Sequence, residues 1–546
     1  MRFPGEFRLL GFAFAIVSLA SCASLSANRP SAGSDSLAIA QQREPTSLNP
    51  ALENGVSSTE WGELFFQYLV KYDERGKLVG DAAVEPPSLG NGGISQDGLT
   101  LVYRLRKGLR FADGVPLTAQ DCVWSIDAIN NPNNNVQSRF GYDVVAKAEA
   151  RDARTLVLHL KHRFAPIFTA VLAPQGFPIL PKHLLARYSD FNRLPFNSQP
   201  IGSGPYVVVR WSRGDSLEMR ANPYYVFGRP KIARLLIRFV PDAQAALNLL
   251  RRGDIAGYFN VPDYSEYASF KALAGYKLTN FPTGAVGSLI FNTQDSITRD
   301  VRVRRALALA IDVPSVVAKS FHGAVSSRNA GRGLFGWAHD PLAYPDLPYD
   351  PAGARRLLDG AGWRLGADAL RHKEGRTLSL LLVLQAATPS ATILATTIAQ
   401  YERAIGADVT LKQYGATQFS APISSGGPVY GGKFQMALYG FVNGDDPDTT
   451  DQFACANVPP AGYNKSRICD PHIDELMRSG NTTYAVAARK AIYARLERVL
   501  YDELPIALLY QRNELDVFTE RLHGPTGSLD TVFWNVASWS FVPEKS

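Results

Sequence analysis

The chain has 546 residues, 46% apolar and 20% charged, the composition of a folded protein of roughly two to four domains and not of a disordered one. Its formal net charge of +7 is mild for this length. No run of Lys or Arg reaches the length of a nucleic-acid-binding tail.

At the N-terminus, Arg2 and Arg8 form a positive region ahead of the apolar run 9–20, LLGFAFAIVSLA. That run is too short to cross a bilayer, which takes about 20 residues, and suits a signal-peptide core. It ends in Leu19-Ala20-Ser21-Cys22, which resembles the bacterial lipobox, whose cysteine is acylated and becomes the first residue of the mature chain. Residues 1–21 are therefore expected to be a lipoprotein signal peptide. Residues 22–35, small and polar, are expected to be a flexible tether. Ordinary secretion, with Cys22 an unmodified thiol, is the alternative. Either way the protein is exported. With the lipid it is a membrane-anchored lipoprotein of the periplasm or cell surface.

The segment 36–51 starts as a strand and ends in a Pro-bounded loop. Residues 58–72 carry Trp61, Leu64, Phe65 and Leu69 at helical spacing. In LTLVYRLR, Leu101, Tyr103 and Leu105 face one way and Arg104 and Arg106 the other, a half-buried strand with solvated arginines. Thr118 and Asp121 fit a capping box for a helix over 119–129. TLVLHL (155–160) alternates as a strand. The stretch 202–225 reads as a hairpin turning at Arg213-Gly214-Asp215. A strand follows at 233–240, then a helix at 242–254 stopped by Gly253. Further strands are expected at 287–294, 377–385, 407–414, 434–441 and 506–513, and helices after Asp300, Asp312 and Asp350, over 389–405 and over 484–501. The interleaving is α/β throughout, without an internal repeat.

Cysteines occupy positions 22, 122, 455 and 469. In an exported chain, Cys455 and Cys469, 14 residues apart around a Pro-Pro and Ala-Gly loop, suit a disulfide, although two free buried thiols remain the alternative. Cys122 then has no partner and reads as a small buried hydrophobe. The eight histidines make no metal-ligand spacing. No nucleophile elbow, P-loop or dinucleotide fingerprint occurs, and GSGPY (202–206) is followed by a strand rather than by the helix a phosphate cradle needs. The acidic stretch 443–451 lacks EF-hand spacing. No metal or cofactor is expected, and on physical grounds a binding protein is favoured over an enzyme.

The stretch YRLRKGLRFADGVPLTAQDCVWSI (103–126) carries the decisive pattern: a strand, a basic residue and Gly, Phe-x-Asp-Gly, Pro-Leu-Thr-Ala-x-Asp, then a helix. It resembles the signature region of the bacterial extracellular solute-binding proteins of family 5, the dipeptide- and oligopeptide-type receptors of ABC importers. SLNPA (47–51), the hairpin from Pro200, VRVRRALALAID (301–312), YDPAGARRLLDGAGW (349–363) and ELPIALLYQRNELDVF (503–518) match other parts of the family in order.

The resemblance implies a two-lobed, periplasmic-binding-protein-like α/β fold, class II and of the three-domain type, with a hinged ligand cleft. Domain I would comprise 36–60, 196–284 and 503–546, domain II 61–195, and domain III 285–502. It also implies a monomer that delivers a peptide or peptide-like solute to a permease and ATPase complex, with no nucleic acid involved. By position in the family pattern, Gly55, Ser57 and Ser58 would line the domain I side, and Trp337, Phe441 and Asn443 the domain III side. Asp445 or Asp446 would meet a peptide ammonium, the two acids otherwise shaping only a turn. The Cys455–Cys469 loop resembles the disulfide loop of the dipeptide-type receptors. Gln385 stands where those receptors carry the arginine that clamps the ligand carboxylate, so a bidentate clamp is missing there. Nickel chelates, haem and oligosaccharides are alternative ligands within the family, and an enzyme on the same scaffold is a further alternative.

Overall fold

The computed structural model describes residues 35–542, apart from 54–55, 137, 175, 262–263, 387–388, 444–445 and 529–530. The expected signal peptide, Cys22 and the tether up to residue 34 lie outside the described residues.

One ten-stranded sheet runs through the molecule. Its strands are β1 (Ser36–Gln41), β2 (Tyr206–Ser212), β3 (Ser216–Ala221), β4 (Arg234–Phe239), β5 (Gly257–Phe259), β6 (Tyr276–Phe291), β7 (Ser379–Gln385), β8 (Asp408–Tyr414), β9 (Met436–Val442) and β10 (Ile506–Thr519). The spatial order is β8-β7-β9-β6-β10-β5-β1-β4-β3-β2. β1 pairs in parallel with both β4 and β5, and β7 in parallel with β8 and β9. Between these two parallel patches lies the antiparallel pair β6–β10, joined from Tyr276 opposite Thr519 to Ile290 opposite Ile506, with a register shift between Pro282 and Val286.

The core is divided accordingly. One large cluster gathers Ile39, Trp61, Phe65, Tyr103, Phe111, Ile237, Phe259 and Trp539. Two others flank the opposite end of the sheet, around Leu307, Leu382 and Ile398 on one face and around Phe335, Phe441 and Tyr493 on the other. A separate small sheet of Thr100–Arg104, Thr155–Leu160 and Val145–Asp152 packs under helix Ala119–Asn130. Leu101, Tyr103 and Leu105 are buried there, as alternation requires.

Helix starts follow the sequence chemistry. Asp242, Asp300, Asp312, Asp350 and Asp470 each cap a helix by accepting from a backbone N–H of its first turn. The Asp121 carboxylate accepts from both the N–H and the hydroxyl of Thr118, at 2.8 and 3.0 Å.

Several expectations are corrected. The helix expected over 58–72 ends at Phe65, and Val70–Tyr72 is a strand. The stop comes from the GSGPY loop. Gly204 N–H donates to the Phe65 carbonyl at 2.8 Å, and a Cβ at Gly204 would stand 2.4 Å from the Phe65 carbonyl carbon. The glycines there permit close backbone approach. Arg106 is not simply solvated. It donates to the carbonyls of Asp81, Gly80 and Val84 and lies 4.9 Å from the centre of the Phe227 ring. The helix expected over 484–501 forms as Val486–Glu503, and a further helix, Pro471–Thr482, precedes it. β6 begins eleven residues earlier than the strand expected at 287.

Cys455 and Cys469 are bonded, with Cα atoms 4.5 Å apart. Cys122 is free and buried, and burial pushes its thiol well above the usual range. Closing a loop of this length is worth about 3 kcal/mol in the chain-entropy account. The double variant Cys455→Ser, Cys469→Ser should lose about that much in a urea titration. The wild type should move to the same midpoint when reductant is added.

Candidate functional site

The β6–β10 crossing is bordered by two groups of charged side chains. On one side stands helix Val56–Phe65, whose first turn carries Ser57 and Ser58. Gly55 lies outside the described residues. Glu60 of this helix is buried and accepts from Asn260 Nδ2 at 2.5 Å, while Asn260 N–H donates to Asp516 Oδ1 at 2.8 Å. Asn260 holds a left-handed backbone, φ 50°, to serve both. Glu514 and Asp516 sit two apart on β10, both buried, and Glu514 Oε1 and Asp516 Oδ2 have no hydrogen-bond partner among the described residues. Burial pushes Glu60 up to about 7 and Asp516 to about 8. Glu514 is raised by burial and by the neighbouring acids. Burial therefore favours the protonated form of each of these carboxyls over the charged one.

On the other side, the C-terminal end of β9 presents Tyr439 and Phe441 on one face, their rings 5.5 Å apart. Continuing the parallel register from Val383 opposite Ala437 puts half-buried Gln385 level with Tyr439. Asn443 is buried and pins the strand end: its Nδ2 donates to the Leu334 carbonyl, its N–H to Gly284, and its Oδ1 accepts from Gln452.

Asp445 lies outside the described residues. The carboxylate of Asp446 is already occupied, since it accepts two hydrogen bonds from Arg489, both at 2.6 Å. Burial by itself lowers Arg489, and the Asp446 charge more than offsets that. An incoming ammonium would have to compete with this fork. Trp337, half-buried, lies 5.6 Å beneath the same guanidinium. The structure thus joins Trp337 and Asp446 through Arg489, sets Phe441 beside Tyr439, and leaves Asn443 a structural pin.

Sequence reasoning missed Lys465. This residue is 2% exposed, with Nζ 4.4 Å from the Tyr439 ring centre, 5.0 Å from Tyr463, 5.1 Å from Tyr430 and 5.9 Å from Phe441. Its cage comes from three separate segments, so nothing in the local sequence marked it. The carboxylates of the Glu60 group were missed for the same reason. Among the described residues no group of three His, Cys, Asp or Glu side chains gathers as metal ligands, and no helix is long and apolar enough to cross a membrane.

A two-lobed α/β molecule whose halves share two crossing strands has the fold of the periplasmic binding proteins. Residues 79–460 match the profile of the bacterial extracellular solute-binding proteins, family 5 Middle, and the chain belongs to that family. Its members are extracellular or periplasmic substrate-binding proteins of ABC importers rather than enzymes. Protein XP55 of Streptomyces lividans is 27% identical over 91% of this chain and 87% of its own. The oligopeptide-binding protein AppA of Bacillus subtilis is 24% identical over 95% and 94%. Among solved structures, NikZ from Campylobacter jejuni in complex with Ni(L-His) superposes with a TM-score of 0.76 at 27% identity, covering 93% of this chain and 99% of that one. AppA in complex with a nonapeptide gives 0.73 at 23%, a likeness of fold.

Proposed function

We propose that this chain is the receptor of an ABC importer, capturing a di- or oligopeptide or a peptide-like solute between two lobes and passing it to a permease and ATPase complex. A lipid on Cys22 would hold it at the membrane as a monomer. The observation that carries the reading is the pair β6–β10, the long connection between two separately packed cores, beside which charged and aromatic groups collect. We assign domain I to 36–60, 196–284 and 503–546, domain II to 61–195 and domain III to 285–502. Contacts also link the segments assigned here to domains II and III: Tyr484 Oη accepts from Phe164 N–H at 3.2 Å and donates to the Gly98 carbonyl at 3.0 Å. Such contacts suit a closed form of a hinged receptor. AppA, described as an oligopeptide-binding protein, supports a peptide as ligand.

A metal–amino-acid chelate is the second reading, favoured by the Ni(L-His) complex of NikZ at 27% identity. Native mass spectrometry of the purified protein separates the two. A retained population of peptides, intact after incubation with a peptide mixture, is the expected result. A nickel–histidine mass, or cleaved products, would overturn it.

A further inference from the structure

Among the described residues, Arg304, Arg371, Arg489 and Lys465 are the basic side chains buried to 5% exposure or less. Three have a carboxylate at hand: Glu503 at 3.5 Å, Asp359 at 2.8 Å and Asp446 at 2.6 Å. Among the described residues Lys465 has none within ion-pair distance. Its ammonium makes one long hydrogen bond, 3.4 Å, to the Tyr463 carbonyl, and an ammonium has three protons to place. The rings of Tyr430, Tyr439, Tyr463 and Phe441 offer their electron-rich faces, which attract a cation without neutralising it. Asp451, on the short helix Thr450–Phe453, acts only at longer range. A buried charge in this condition is costly until an anion joins it.

The cage is not closed off. Tyr463 is 57% exposed, and Tyr430 and Tyr439 are half-buried. It also stands at the end of β9 level with Gln385, which cannot supply the missing positive charge.

We propose that Lys465 is the anion receptor of the ligand site, taking the carboxylate of the solute inside the wall formed by Tyr430, Tyr439, Phe441 and Tyr463. This rests on the reading of the chain as a receptor for peptide-like solutes. It makes the solute an acid with a free carboxylate and an apolar or aromatic group beside it. Burial pushes the free lysine down to about 8, partly countered by Asp451, while burial raises the phenols of Tyr430 and Tyr439. Carboxylate binding must therefore weaken as pH rises through about 8.

The test is calorimetric titration of the full chain with synthetic tri- and pentapeptides of mixed sequence, as free acids and as C-terminal amides. The wild type should bind free acids about tenfold or more tighter than amides. Lys465→Met should lose that preference, and Lys465→Arg should keep it. From about pH 7 to about pH 9.5 the preference should shrink in the wild type and hold in Lys465→Arg. If Lys465→Met does not fold, this pH comparison decides alone. Equal binding of acids and amides by the wild type, or an undiminished preference in Lys465→Met, overturns the assignment and leaves the receptor reading intact. Failure of both peptide sets to bind overturns the receptor reading and the assignment with it.

Discussion

Replacing Asp446 with asparagine is expected to cost roughly 3–5 kcal/mol of stability, the usual consequence of breaking a buried ion pair by removing one partner. Asp446 is 9% exposed and Arg489 5%. The guanidinium is acted on by one other carboxylate, Asp448, only at longer range. Its remaining contacts are the Gly480 carbonyl at 2.9 Å and the rings of Trp337 and Tyr493. The Asn variant removes the charge and keeps the volume, so the loss reports electrostatics and not a cavity. Urea denaturation followed by tryptophan fluorescence measures it. The double variant Asp446→Asn, Arg489→Leu should recover part of the loss, because it no longer buries a lone charge. A loss below about 1 kcal/mol in the single variant would show that the pair is not the anchor described here. If peptide binding vanished while stability held, Asp446 would instead be a ligand group.

The second large effect is a dependence of stability on pH. Glu60, Glu514 and Asp516 are displaced upward chiefly by burial. In the folded chain they keep protons that the unfolded chain releases near pH 4. The folded state therefore binds more protons between about pH 4 and about pH 8, and stability falls as pH rises through that window. The stabilising contribution is complete below about pH 4 and is lost once pH passes the folded values of about 7 and about 8. Glu60 alone accounts for something on the order of 3 kcal/mol between the two ends. Asp516→Asn and Glu514→Gln, which remove the titration and keep the shape, should flatten the slope and raise stability at pH 8. Urea midpoints at pH 5, 6.5 and 8 test this, and a slope unchanged in both variants would count against the group as its source.

Much of the fold was legible locally. TLVLHL forms the strand 155–160, Thr118 and Asp121 cap their helix, and Gly253 ends another at φ 73°. Each of these rests on interactions within a few residues, where alternation, capping and handedness act. The ordered family motifs likewise pointed to the two-lobed α/β class. The central crossing was read only in part. The first half of β6 and the second half of β10 carry Lys277, Asn280, Glu514 and Asp516, which break the apolar pattern of a strand. They form strands because they pair with each other across more than two hundred residues.

The same reason limits the reading of the site. Sequence by itself determined the family, the caps and the cysteine loop. Which charge meets which was decided only in three dimensions. There Asp446 met Arg489 rather than standing free, three acids gathered around Asn260, and a lysine from the disulfide loop came to rest among four rings. An ion pair or a cage is a property of distances between remote segments, and no spacing along the chain encodes those.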